Sequence, residues 1–188
     1  MIGKKTSKVF CFLIFMAFSW ASIVSSAPSK QYVSPGTPVT FQDSGGTVVL
    51  AWNGVAAGAG SSSARYDKGA GSIPAQYWWS CSVTLTGTNV PGAMVEIYVS
   101  LSDGVHADGA LGTTAAALAS ADKRRDLKLV GTVIVDQAAS NVTMTASGMA
   151  WIPTRYFSVA FWNATTLPLQ AVANTSSCTF VPSPFEMQ

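Results

Sequence analysis

Residues Gln76 to Ser102 read QYWWSCSVTLTGTNVPGAMVEIYVSLS. In the first half, Tyr77, Trp79, Cys81, Val83 and Leu85 alternate with Trp78, Ser80, Ser82, Thr84 and Thr86. In the second half, Val95, Ile97, Val99 and Leu101 alternate with Glu96, Tyr98, Ser100 and Ser102. A period of two buries one face of a strand and wets the other. The Gly-, Asn- and Pro-containing segment between the runs, Gly87 to Gly92, makes a β-hairpin the expected arrangement. Its apolar face needs a second sheet to cover it.

The remaining chain adds strands of the same kind. Val39 to Phe41 reads as a short edge strand and Thr47 to Val55 as a firmer one. Leu127 to Val135, Val142 to Ala146, Arg155 to Trp162, Leu169 to Ala173 and Ser177 to Val181 follow. Gly58 to Gly71 has no periodicity and reads as a long mobile loop, with Arg65-Tyr66-Asp67-Lys68 at its centre as a contact tip. Ser102 to Asp126 is a second long connection, in which TTAAALASA suits a short helical turn. The expected fold is all-β: a single β-sandwich or jelly-roll-like domain of about eight antiparallel strands, spanning residues 28–188.

Ahead of it stands an apolar leader, residues 1–27. Lys4, Lys5 and Lys8 precede the uncharged run Val9 to Val24, and Ser25-Ser26-Ala27 follow. This is the pattern of a secretory signal peptide, or of a hydrophobic N-terminal anchor or arm. Membrane contact is expected only through this segment. Export would leave Cys81 and Cys178 as an even pair in an oxidising compartment, a candidate disulfide with Cα atoms ~4.4–6.8 Å apart. The alternative is two free thiols in the core.

Charged residues make up 11% of the 188 positions, well below the usual quarter, and the net charge is +2. The basic residues show no aromatic interleaving, which argues against nucleic acid. The one compact basic run, Lys123-Arg124-Arg125, sits between Asp122 and Asp126 as a solvated loop would. His106 is the single histidine, and no nucleophile motif accompanies it, so no catalytic residue is assigned. Asp103 and Asp108 share its loop but lack the spacing of a calcium loop, and no Cys/His cluster suggests zinc, so neither metal nor cofactor is expected. Asn141, Asn163 and Asn174 each open an Asn-x-Ser/Thr sequon. Trp78, Tyr98, Tyr156 and Trp162 fall on strand faces opposite the expected core and, with Arg65 and Tyr66, are the interface candidates.

From Met94 to Pro153 and beyond, an EIYVSLSDG strand, a DG loop, DLKLVGTVIVD and then WIPTRYFSVAFWNAT occur in order. This series resembles the small β-sandwich virion structural proteins of tailed bacteriophages, over roughly Gln76 to Cys178. The resemblance implies a non-enzymatic capsid decoration, coat or tail component, located in the virion and binding protein subunits of the same particle, as a homo-oligomer. These motifs are structural and assign no functional residue. The leader and the outward aromatics support a different reading, an exported carbohydrate-binding or adhesive β-sandwich, extracellular or periplasmic, with glycans as partners.

Overall fold

The computed structural model describes residues 36–70, 74–107, 114–118 and 120–183. The leader, Asp108 and the last five residues lie outside them. The elements are β1 (Val39–Gln42), β2 (Val48–Val49), β3 (Ala59–Ser62), β4 (Tyr66–Asp67), β5 (Gln76–Thr84), β6 (Met94–Ser102), β7 (Ala116–Leu118), a 3-10 turn (Ala121–Arg124), β8 (Lys128–Ile134), β9 (Thr143–Trp151), β10 (Tyr156–Asn163) and β11 (Ser177–Pro182). They form two sheets, ordered β2-β1-β11-β5-β9 and β7-β3-β10-β6-β8, with β4 continuing β3 along β10. Without the short β2, β4 and β7, eight strands remain, four in each sheet. The chain alternates between the sheets except from β6 to β8, which are neighbours in one sheet, and this is the order of a jelly roll.

The expected hairpin is a correction. β5 lies between β11 and β9, while β6 lies between β10 and β8 in the other sheet. Their inward faces are as read: Tyr77, Trp79, Cys81 and Val83 on one side, Val95, Ile97 and Val99 on the other, all buried. The connection between Thr84 and Met94 is too long for a tight two- to five-residue hairpin loop. It carries the chain across the core with positive φ at Gly87 (66°) and Gly92 (87°). The two apolar faces therefore meet each other instead of lying side by side.

Between the sheets Phe157 is the centre of an aromatic cluster, with Tyr66, Tyr77, Phe41 and Phe180 at 5.5, 5.6, 5.8 and 5.9 Å between ring centroids. Trp52 stacks on Phe161 at 4.0 Å. Such pairs add ~0.5–1.5 kcal/mol each beyond area burial. Cys81 and Cys178 are directly opposed on β5 and β11 and form a disulfide, with Cα atoms 4.0 Å apart. That is slightly closer than the usual span, because facing residues of an antiparallel pair already approach to ~4.5 Å. The bridge joins neighbouring strands of one sheet, 97 residues apart in sequence. Closing so long a loop restricts the unfolded chain by ~4–5 kcal/mol.

Several other expectations are corrected. Thr47 to Val55 yields only β2, since the Asp43 carboxylate takes the Trp52 and Asn53 N–H groups at 2.7 and 3.0 Å. Those amides are thereby diverted from a strand ladder. Val39–Gln42 is not an edge, because β2 flanks it. Leu169 forms an isolated bridge with Leu85, and no strand continues to Ala173. The alanine-rich segment supplies strand β7, paired with Gly60 to Ser62, so tertiary pairing overrides alanine's helix propensity. The supposed mobile loop contains β3 and β4.

Glycine and serine occur at β3 for a packing reason. A Cβ at Gly60 would sit 2.2 Å from the Phe161 carbonyl oxygen, and Ser61, Ser62 and Ser63 are buried against β10. Gly60→Ala is therefore expected to destabilise the fold by ~1–3 kcal/mol or more, as overpacking does, measured by urea denaturation. In a mobile loop the same change would be neutral or stabilising, and that result would contradict the strand assignment.

Candidate interaction surface

The strands of the β2-β1-β11-β5-β9 sheet contain no Asp, Glu, Lys, Arg or His. Their outward residues line up in rows through the register. Ser147, Ser80, Thr179 and Thr40 cross four strands in one row, and Thr145, Ser82, Ser177 and Gln42 make the next. Hydroxyl pairs such as Thr40–Thr179, 3.3 Å apart, bridge neighbouring strands. The row on the other side is apolar: Met149, Trp78 and Val181, with Trp151 two residues along β9. Trp78 is 54% exposed and Met149 and Trp151 are each 51% exposed. The result is a hydroxyl-covered surface with a tryptophan-rich patch at one end.

Met149 and Trp151 escaped the sequence reading because the inward side of β9 does not look apolar. Met144, Ala146, Gly148 and Ala150 face the core beneath the large Trp79 ring. A Cβ on Gly148 would approach that indole to 3.0 Å, and one on Gly131 of β8 to 2.3 Å. Small residues are needed where Trp79 fills the space, so the alternation fades after Ala146. Continuing the period of two to Trp151 would have found both residues.

The other sheet-derived candidates lie elsewhere. Tyr98 and Trp162 point away from the inter-sheet core, as their alternation requires, yet they are only 8% and 6% exposed. The chain's own β7 and 3-10 turn cover them, together with Leu118 and Leu127. There the Arg124 guanidinium lies 4.8 Å over the Trp162 ring and pairs with Glu96, which accepts the Tyr98 hydroxyl at 2.7 Å. Tyr156 is half-buried between the guanidinium groups of Arg65 at 4.5 Å and Arg155 at 5.0 Å. Arg65 also donates to the Gly104 carbonyl at 3.0 Å. Tyr66 sets its ring edge-on against Phe157, as part of the core wall. Of the six candidates, Trp78 alone belongs to the uncharged face.

At the end of the sandwich near Arg65, Asp103 accepts the Val105 and His106 amides and the His106 ring, which holds its carboxyl well below the usual carboxylate range. The calcium partner considered for it, Asp108, lies outside the described residues. Among the described residues no three His, Cys, Asp or Glu side chains are grouped to hold a metal. Of the three sequons, Asn163 is fully buried and its amide donates to the Val55, Ala56 and Leu167 carbonyls, while Asn141 and Asn174 are exposed.

Lys68, read with Arg65, Tyr66 and Asp67 as a contact tip, is instead turned inward. Its ammonium donates to the Pro74 carbonyl at 2.8 Å and to the Ile152 carbonyl, and lies 4.9 Å over the Tyr77 ring. Burial pushes it down to about 8. These contacts tie the β4 loop to the start of β5 and the end of β9, a positioning role.

The sign of the pH dependence follows. Between pH ~8 and ~10.4 the unfolded chain keeps the Lys68 proton that the folded chain has lost, so stability rises with pH. Burial raises Tyr77 and Tyr98 to about 12, so above pH ~10 the unfolded chain loses tyrosine protons first and stability falls. Melting temperatures are expected to rise from pH 8 to near 10 and then decline. Lys68→Met should flatten the rising limb, and a rising limb unchanged by that substitution would contradict the assignment.

No family model matches the chain, and no curated protein matches it, so its function is argued from this geometry.

Proposed function

We propose that this chain is a non-enzymatic structural subunit, a coat, decoration or tail component of a virus particle, that binds other protein subunits of that particle. The observation that carries the reading is the uncharged outer face of the β2-β1-β11-β5-β9 sheet, with Trp78, Met149 and Trp151 exposed on it. Adjacent exposed apolar side chains mark an interaction site, and tryptophan and methionine are enriched in protein interfaces. The jelly roll is an architecture of viral capsid domains and also of lectins, which is an analogy at the level of fold. The disulfide agrees with a particle surface, where thiols are oxidised.

A glycan reading needs polar groups set to fix sugar hydroxyls beside an aromatic platform. On this face the amides belong to Gln42 and Gln76, and both are engaged: Gln42 donates to the Ser44 carbonyl at 2.7 Å and Gln76 to the Met149 sulfur at 3.0 Å. Both amides thus turn one N–H toward the chain's own groups, which favours a protein partner over a sugar.

Density-gradient fractionation of particles from the source culture tests the proposal. The chain is expected to co-sediment with particles, and Trp78→Ala should lower its incorporation on the order of tenfold, as truncating an interface tryptophan does. A chain confined to the soluble fraction that binds glycans on an array would overturn it.

A further inference from the structure

We infer that the outer face of the β2-β1-β11-β5-β9 sheet pairs with the same face of a second copy of this chain, across a two-fold axis. This deepens the proposal above and rests on its premise that the face is a protein interface. Two observations select the occupant.

The first is charge. In a two-fold contact one patch meets itself, so any charge on it confronts its like. A face without ionisable groups escapes that repulsion. The strands of this sheet carry none, whereas the opposite sheet carries Asp67, Glu96 and Lys128 within its strands. Within the strands, charge is thus confined to the opposite sheet, and the Lys128 ammonium reaches only the rim of the uncharged face, where it donates to the Trp151 carbonyl at 2.7 Å.

The second is area. The strands contribute four, two, six, nine and nine residues across the sheet. With strands ~4.8 Å apart and a rise of ~3.4 Å per residue, this face covers on the order of 500 Å². With the whole face covered, two copies together bury on the order of 1,000 Å², the lower bound for a biological interface. The hydroxyl rows permit close approach of the two sheets, and the patch of Trp78, Met149 and Trp151 at one end adds the apolar anchors that an interface requires.

Ser80 occupies the middle of the face, flanked by Ser147 and Thr179, and its side chain is exposed. Ser80→Lys brings two ammonium groups together near the axis, and Ser80→Glu does the same with carboxylates. Sedimentation velocity of the full chain over a concentration series reads the result. The wild-type chain is expected to be a dimer. Each variant alone should dissociate at least tenfold more readily, and an equimolar mixture of the two should restore the dimer. Should Ser80→Lys fail to fold, judged by near-ultraviolet circular dichroism, Thr145→Lys with its Glu counterpart on the adjacent strand carries the same test. Association through any other part of the chain, the leader included, would be insensitive to these substitutions, and that insensitivity overturns the inference. A wild-type monomer that still co-sediments with particles overturns the self-pairing alone. A monomer absent from particles overturns both the self-pairing and the structural role.

Discussion

The fold depends on one crossing. Between Thr84 and Met94 the chain leaves one sheet and enters the other, so the alternating apolar faces of β5 and β6 meet across the core. Each then becomes an inner strand, β5 between β11 and β9 and β6 between β10 and β8. Backbone polar groups of both strands are satisfied on both sides, as burial requires. The Cys81–Cys178 bridge fastens β11 to β5 within one layer, and the Phe157 cluster joins that layer to the other. Moving β6 next to β5 would leave both apolar faces on the same side with nothing between them.

This crossing also explains how the sequence can be read and where the reading fails. Inward residues of β5, β6, β10 and β11 are legible because apolar side chains recur at every second position. The partner of each strand is not legible, because alternation shows which face is buried and leaves the neighbour open. β3 is the clearest failure. Its Gly60 and buried serines look like loop composition, yet the closeness of the Phe161 backbone leaves room for nothing larger. β9 failed for the same reason on its inward side, where Trp79 demands Gly148. In both strands, small residues mark a close approach by a neighbour.

The candidate surface was half legible. Trp78 follows from period two alone. Met149 and Trp151 required knowing that β9 extends past Ala146, and Tyr98 and Trp162 required knowing that residues 114–118 and 120–128 fold back over them. What separates the molecule's two outer faces is how charge is placed. One sheet places Glu96 and Arg124 over its aromatics and covers them with its own chain. The other leaves tryptophan and methionine in the open among hydroxyls, with no charge in any of its strands. Charge discourages association, and its absence over a whole sheet is the physical basis for treating that face as the working surface.

Hydroxyl-radical footprinting of native material against the dispersed chain tests that claim most directly, since tryptophan and methionine report it through their own oxidation. Trp78, Met149 and Trp151 should be shielded in the native assembly and oxidised in the dispersed chain, while Val105 and His106, exposed on a loop outside that sheet, react alike in both. Equal oxidation of Trp78, Met149 and Trp151 in the two samples, or shielding of the Val105–His106 loop in their place, would contradict the account.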